Sequence, residues 1–223
     1  MARSVASTVM ARIKVLGGTG YGGSAVVSEA AQRGHTVTSY SRNAPAEPVP
    51  GVTYVHGSLE DEALLAQVVE DADVVFETLS PRGDMEGKLE GIVDRLIALA
   101  DGAGVRLGVL GGVSSMLVSE GGPRFFDVHE PPAEIRPEVL TGMALLDALR
   151  ESPESLDWFY VSPAANFGAW LPQRVAGCYR LSTDILLTDD AGESYIAAPD
   201  LALAVLDEIE HPQFHRRRFH VAG

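Results

Sequence analysis

Short apolar runs alternate with amphipathic stretches along most of this chain. "RIKVLG" (12–17), "TVTSYSR" (36–42), "VTYVHG" (52–57), "ADVVFETLS" (72–80) and "VRLGVLGG" (105–112) have the length and β-branched content of strands. The fourth is almost continuously apolar, as a strand covered on both faces should be. Between them, "GSAVVSEAAQRGH" carries apolar residues at helical spacing and stops at Gly34. An acidic, leucine-bearing helix is predicted from Glu60 to about Glu70, a longer one over 85–102, and another around 137–149. Strand and helix in turn, with short connections, predict an α/β fold: a doubly wound parallel sheet with helices on both faces. Residues 12–223 read as one domain, preceded by a flexible extension over 1–11 in which Met10 opens a second Met-Ala-Arg.

The first strand runs into "GGTGYGG" (17–23), five glycines in seven residues. Glycine belongs where φ is positive or where something approaches the backbone closely. Gly17, Gly20 and Gly23 form G-x-x-G-x-x-G between a strand and a helix, the context of a Rossmann-type dinucleotide site, where pyrophosphate meets bare backbone and the positive end of a helix. Thr19 and Tyr21 add a hydroxyl and a lid. The end of the second strand distinguishes the dinucleotides. A site for NAD places a carboxylate there, whereas this chain has Ser41 and Arg42, which favours the 2′-phosphate of NADP (NADPH), with NAD the second choice.

Composition narrows the remaining classes. A net charge of −14, with Lys14 and Lys88 the only lysines, argues against a nucleic-acid surface. The single cysteine, Cys178, excludes an internal disulfide and reads as a small buried hydrophobe. With no secretory signal pattern at the start and no stretch of membrane-spanning length, a cytoplasmic protein without a membrane partner is expected. "HRRRFH" (215–220) reads as a solvated edge leading into the last strand. His211 and His215 are four apart but interrupted by Pro212, and no metal site is expected.

"GGTGYGG", the Ser-Arg end of strand two, "LGGVSSM" (110–116), "LDWFYVSPAANF" (156–167) and "GCYRLSTDILLTDDAGESYIAAPDLALAVLDEIEHP" (177–212) together resemble an atypical short-chain dehydrogenase group. That group is described as NAD(P)H-flavin reductases and is similar more distantly to biliverdin reductase B and NmrA-like proteins. The resemblance spans residues 12–223 and implies a Rossmann domain with a small C-terminal substrate cap. It also implies pyrophosphate contacts at Gly17, Thr19, Gly20, Tyr21 and Gly22, the 2′-phosphate at Ser41 and Arg42, and adenine against Ser58 and Leu59, although relatives commonly carry Asp where Ser58 stands. Leu79, Ser80 and Pro81 would pass the nicotinamide ribose. Gly111 and Gly112 would border the nicotinamide, with Pro163, Ala164 and Ala165 on its far side.

Familiar short-chain dehydrogenases use Tyr-x-x-x-Lys as proton donor. None of the six tyrosines here has a lysine four residues on, and the helix around 137–149 offers Thr141 instead. An acceptor able to take its proton from water is therefore expected: a planar flavin, quinone or similar molecule, with the cofactor supplying the chemistry. Ser114 and Ser115 are the candidates to polarise it, or serve as turn residues; Ser115 aligns with the serine of the related Gly-Gly-Ala-Gly-Ser pattern. Phe126 and Phe167, with Phe125 and Trp170, form a stacking surface for the acceptor or part of the core, and His129, in the irregular loop 124–135, caps the substrate pocket or lies at the surface. Two other classes stay open: an NADP-sensing regulatory protein without turnover, and an epimerase or dehydratase using Asp127, His129 or Glu130 as base. The chain is expected to act as a monomer or homodimer.

Overall fold

The computed structural model describes residues 10–223. Eight strands form one sheet: β1 (Arg12–Leu16), β2 (Thr36–Ser41), β3 (Thr53–His56), β4 (Val74–Glu77), β5 (Arg106–Leu110), β6 (Trp158–Pro163), β7 (Arg180–Ser182) and β8 (Arg217–Ala222). Their order is β3-β2-β1-β4-β5-β6-β8-β7. Every pairing is parallel except that of β7 on β8. Six α-helices complete the described residues: α1 (Tyr21–Gln32), α2 (Glu62–Val68), α3 (Leu89–Ala103), α4 (Phe125–Val128), α5 (Arg136–Glu151) and α6 (Ala198–Glu210). This is the predicted Rossmann-like α/β fold.

Alternating residues of the buried strands face two cores. Ile13, Val15, Phe76, Phe159 and Phe219 pack with Val26 and Val27 of α1 and Leu201 and Val205 of α6. Leu16, Val75, Leu107, Val109 and Trp158 pack with α2, α3 and α5 on the other face. Two charged clusters tie the helices down. Arg33, at the C-cap of α1, donates to Asp207 (2.6 Å) and Glu210 (2.9 Å) of α6, and Arg106 pairs with the buried Glu208.

The observed boundaries differ from the predicted ones for local reasons. The second helix begins at Glu62, because Asp61 accepts the N–H groups of Ala63 and Leu64 as its cap. The fourth strand begins only at Val74: Asp73 turns its carboxylate to the backbone N–H and guanidinium of Arg12. It ends at Glu77, whose carboxyl accepts the Leu79 N–H at 2.5 Å and turns the chain. The predicted helix over 85–102 is preceded by a 3-10 turn (Gly83–Met85) and starts at Leu89, past Gly87 at φ +71°.

Most of the predicted extension, residues 1–9, lies outside the described residues. Ala11 is already fixed by backbone and side-chain bonds to Thr36 and His35. Cys178 is exposed, contrary to the burial expected of it, because it sits in the irregular segment that precedes β7. The arginine run is not a solvated edge. Arg216 donates to the carbonyls of Ser152, Pro153 and Leu156, Arg218 is buried, and only Arg217 is exposed. Residues 164–197, in the C-terminal part where a small cap is expected, are mostly irregular, carry β7, and bridge through Ile185 to Leu117 in the connection after β5. Among the described residues, no helix is long and apolar enough to cross a membrane, and no three or more metal-ligating side chains come together.

Candidate functional site

Strand order reverses between β1 and β4, so their carboxyl ends leave a crevice between diverging connections. The glycine turn lies in it. Gly17 sits at φ +81° and accepts the Gly20 N–H at 2.9 Å. A Cβ on Gly23 would stand 2.3 Å from the Gly17 carbonyl oxygen and 2.6 Å from Thr78 Oγ1, so helix and strand pack without room for a methyl group. A Cβ on Gly18, a position that the spacing argument passed over, would meet Ser39 Oγ at 2.3 Å. Gly20 caps α1 without a side chain, and no acidic residue stands in the first turn. The first N–H groups of the helix and its partial positive charge therefore face the crevice uncompensated.

Tyr21 is held differently from the lid expected of it. Its hydroxyl bonds Gln173 and accepts the Ala198 N–H, anchoring α1 to the C-terminal segment, and its ring lies 5.0 Å from that of Phe167. Burial pushes its phenol up from the ordinary value. Ser41 is buried, and its hydroxyl donates to the Asn43 carbonyl. Arg42 is exposed and pairs with Asp84, from the 3-10 turn beyond β4; that hydrogen bond holds the carboxyl of Asp84 below its usual range. Thr19 lines a cleft of about 350 Å³ between the start of α1 and residues 44–49, with Glu47 and Tyr54 on its walls. Nothing in the proline-rich pattern of that loop marked it as a wall. Ser58 Oγ accepts the Glu60 N–H, whereas the side chain of Leu59 is in the core. Leu79, Ser80 and Pro81 form the partly exposed turn beyond β4.

The end of β5 forms the other half. The Tyr160 hydroxyl accepts the Gly112 N–H at 3.0 Å and donates to the Gly142 carbonyl at 2.8 Å. It lies so close under Gly111 that a Cβ there would fall 1.7 Å from it. Burial pushes the phenol up to about 12, so it stays protonated as a brace. The next turn is closed by Met116 N–H on the Val113 carbonyl, and its Ser114 carbonyl accepts the Phe126 N–H. Ser115 Oγ accepts a hydrogen bond from the buried Arg218 at 2.7 Å. Neither Tyr160 nor Arg218 was singled out in the sequence, since each lies in an apolar or basic run with an ordinary structural explanation.

The predicted aromatic surface divides in two. His129 stacks on Phe125 at 4.2 Å and Arg136 lies over Phe126, beside the serine turn. Phe167 instead belongs with Tyr21 and Gly22, on the α1 side. Pro163 and Ala164 are buried at the end of β6, and Ala165 is exposed with its N–H on Ser194 Oγ. Thr141 donates to Glu90 across α5 and α3. Between the two halves lies Glu77, fully buried, with one carboxyl oxygen unpartnered; burial pushes it up to about 8.

Residues 17–212 match the NAD(P)H-binding family. The chain belongs to that family. An uncharacterised Bacillus subtilis protein, YwnB, is 32% identical over 214 residues, covering 95% of this chain and 98% of its own. A solved Burkholderia pseudomallei structure, provisionally named an exported protein, is 32% identical with a TM-score of 0.82, covering 96% of this chain and 100% of its own. Another, from Streptococcus pneumoniae and provisionally named an NADH-flavin reductase, is 26% identical with a TM-score of 0.79, covering 95% and 99%. In this NAD(P)H-binding chain a Cβ at Gly17, Gly18 or Gly23 would collide with Thr78, Ser39 or the Gly17 carbonyl, so the glycines let the turn pack closely against the sheet at the N-terminus of α1.

Proposed function

We propose that the protein is an NADPH-dependent reductase of the atypical short-chain dehydrogenase type, acting in the cytoplasm on a planar acceptor such as a flavin or quinone. The observation that carries this reading is the glycine turn at the N-terminus of α1, bonded through the Gly17 N–H to Tyr40 at the end of β2, the strand that leads to the exposed guanidinium of Arg42. The turn from Gly17 to Gly23 would hold the pyrophosphate, and Arg42, released from Asp84, the 2′-phosphate. Ser58 and the backbone of Leu59 would border the adenine, and residues 79–81 the second ribose. When bound, the nicotinamide supplies the hydride. Gly111 and Gly112, held from below by Tyr160, leave room for the ring, and Ser115 presents a hydroxyl where the acceptor would lie. The proton that completes the reduction comes from water, in keeping with the absence of a Tyr-x-x-x-Lys pair. The provisional name of the Streptococcus pneumoniae relative supports the same class.

Epimerase or dehydratase chemistry is less well served. Asp127 is forked onto Arg124 at 2.9 Å, which holds its carboxyl low, and Glu130 is paired with Arg136. Neither is placed as a free base near the end of β5.

The test is a fluorescence titration with NADPH and NADH, followed by addition of FMN, riboflavin and a quinone while nicotinamide absorbance is watched. NADPH binds more tightly and is oxidised. Arg42→Ala lowers the NADPH/NADH affinity ratio by about tenfold or more, the size of one lost charge-assisted contact. Tight binding without oxidation by any acceptor would favour the sensing protein. No binding at all would sink the reading of the glycine turn.

A further inference from the structure

Arg218 is a costly residue for its place. It stands on β8 opposite Tyr160 of β6, on the face covered by α3 and α5, with its side chain only 5% exposed. Nη1 donates to Ser115 Oγ at 2.7 Å, Nη2 reaches Asp184, and Nε is buried without a partner. A buried guanidinium with a donor unmet is poor stability design, since an apolar residue of similar volume would hold the same layer at less cost. Its ion pair also adds little, because the Asp184 side chain is 56% exposed. What the guanidinium alone provides is a fixed positive charge against Ser115.

The direction of that bond matters. Ser115 Oγ is the acceptor, so its own O–H points away from Arg218. The turn carrying it is pinned on both sides: Met116 N–H on the Val113 carbonyl at 2.8 Å, and Phe126 N–H on the Ser114 carbonyl at 2.9 Å. A hydroxyl that accepts from a cation is a stronger donor, and in a partly desolvated site the charge also favours electron density building up beyond it. We propose that Arg218 is the positioning residue of the reaction, acting through Ser115 to present a polarised O–H to the acceptor oxygen, in the role left open by the absent lysine. The inference rests on the reductase reading. The hydride adds two electrons to the acceptor, whose π pair moves onto the heteroatom receiving the Ser115 hydrogen bond. Water supplies the proton that neutralises it, and Arg218 takes no part in the proton transfer.

The experiment uses riboflavin bound in the presence of NADP+, which permits no turnover, and reads the flavin carbonyl stretch by infrared difference spectroscopy in the full chain. The wild type shows a shift to lower frequency that Ser115→Ala abolishes and Arg218→Gln diminishes. Asp184→Asn, which keeps an acceptor for Nη2, retains it. In turnover with NADPH, kcat falls about a hundredfold in Ser115→Ala, the scale of one lost donor at a developing negative charge. The Arg218→Gln, Ser115→Ala double variant is no slower than Ser115→Ala alone, and Arg218→Lys recovers part of the rate. NADPH affinity and melting temperature, measured alongside, separate these effects from unfolding. A wild type without the carbonyl shift overturns the proposal, as does an Arg218→Gln protein that keeps both the shift and the rate. A wild type that oxidises NADPH while Arg218→Gln matches it refutes only the role of Arg218, whereas a wild type that oxidises none with any acceptor refutes the reductase reading as well.

Discussion

Glycines of identical composition do opposite work in this chain, and the contacts around each separate them. Gly23 faces the Gly17 carbonyl and Thr78 Oγ1, whereas Gly91, inside α3, has nothing within 4 Å of an added Cβ and no left-handed φ. Gly23→Ala must therefore push the start of α1 off the strand end. The expected outcome is a loss of at least about tenfold in NADPH affinity with a destabilisation of about 1–3 kcal/mol, the range for overpacking. Gly91→Ala instead gains about 1 kcal/mol from helix propensity and leaves binding unchanged. Urea denaturation and nicotinamide fluorescence on the two variants check both. Spacing along the chain reveals Gly17, Gly20 and Gly23 because part of their requirement lies within one turn, where Gly20 and Gly23 both meet the Gly17 carbonyl. Gly18 stays invisible to it, since its constraint is Ser39 on the neighbouring strand.

At the level of elements, strand and helix identities were legible because each rests on local periodicity, whereas their ends depend on partners far along the chain. The fourth strand is shortened by Asp73 meeting Arg12, 61 residues away, and Ser115 acquires its guanidinium from 103 residues away. Tyr160 shows the same limit. In "WFYVSP" it reads as one more apolar strand residue, yet its hydroxyl joins three elements by holding the turn after β5 and the backbone of α5. Tyr160→Phe keeps the ring and strands both partners, the Gly112 N–H and the Gly142 carbonyl. A loss of about 1–3 kcal/mol is expected from the two unmet backbone groups, together with faster hydrogen exchange at the Gly112 amide. Unchanged exchange there would mean that the turn holds itself.

Across the whole molecule, one row of the sheet carries polar residues through the core: Glu77, Val109, Tyr160 and Arg218 are register partners from β4 to β8. Such a row links folding to pH. Glu77 is raised from 4.5 to about 8 by burial, against a single opposing bond from the Leu79 N–H. The folded state thus holds this proton more tightly than the unfolded chain does. Its contribution is complete below about pH 4.5, where both states are protonated, and is lost as pH rises toward 8, because the unfolded chain ionises first. His220 works in the opposite sense: burial lowers its pKa, so its contribution is present above the ordinary histidine value and fades as pH falls. Comparing Glu77→Gln with the wild type cancels the histidine, which both proteins share. The amide oxygen can still accept from Leu79, so the variant lacks only the titration. The stability difference between the two should move in favour of the variant by a few kcal/mol between pH 5 and pH 8.5, read from urea midpoints across that range. A difference that stays constant would mean that Glu77 binds its proton no more tightly in the folded state than in the unfolded chain, and that burial does not raise it.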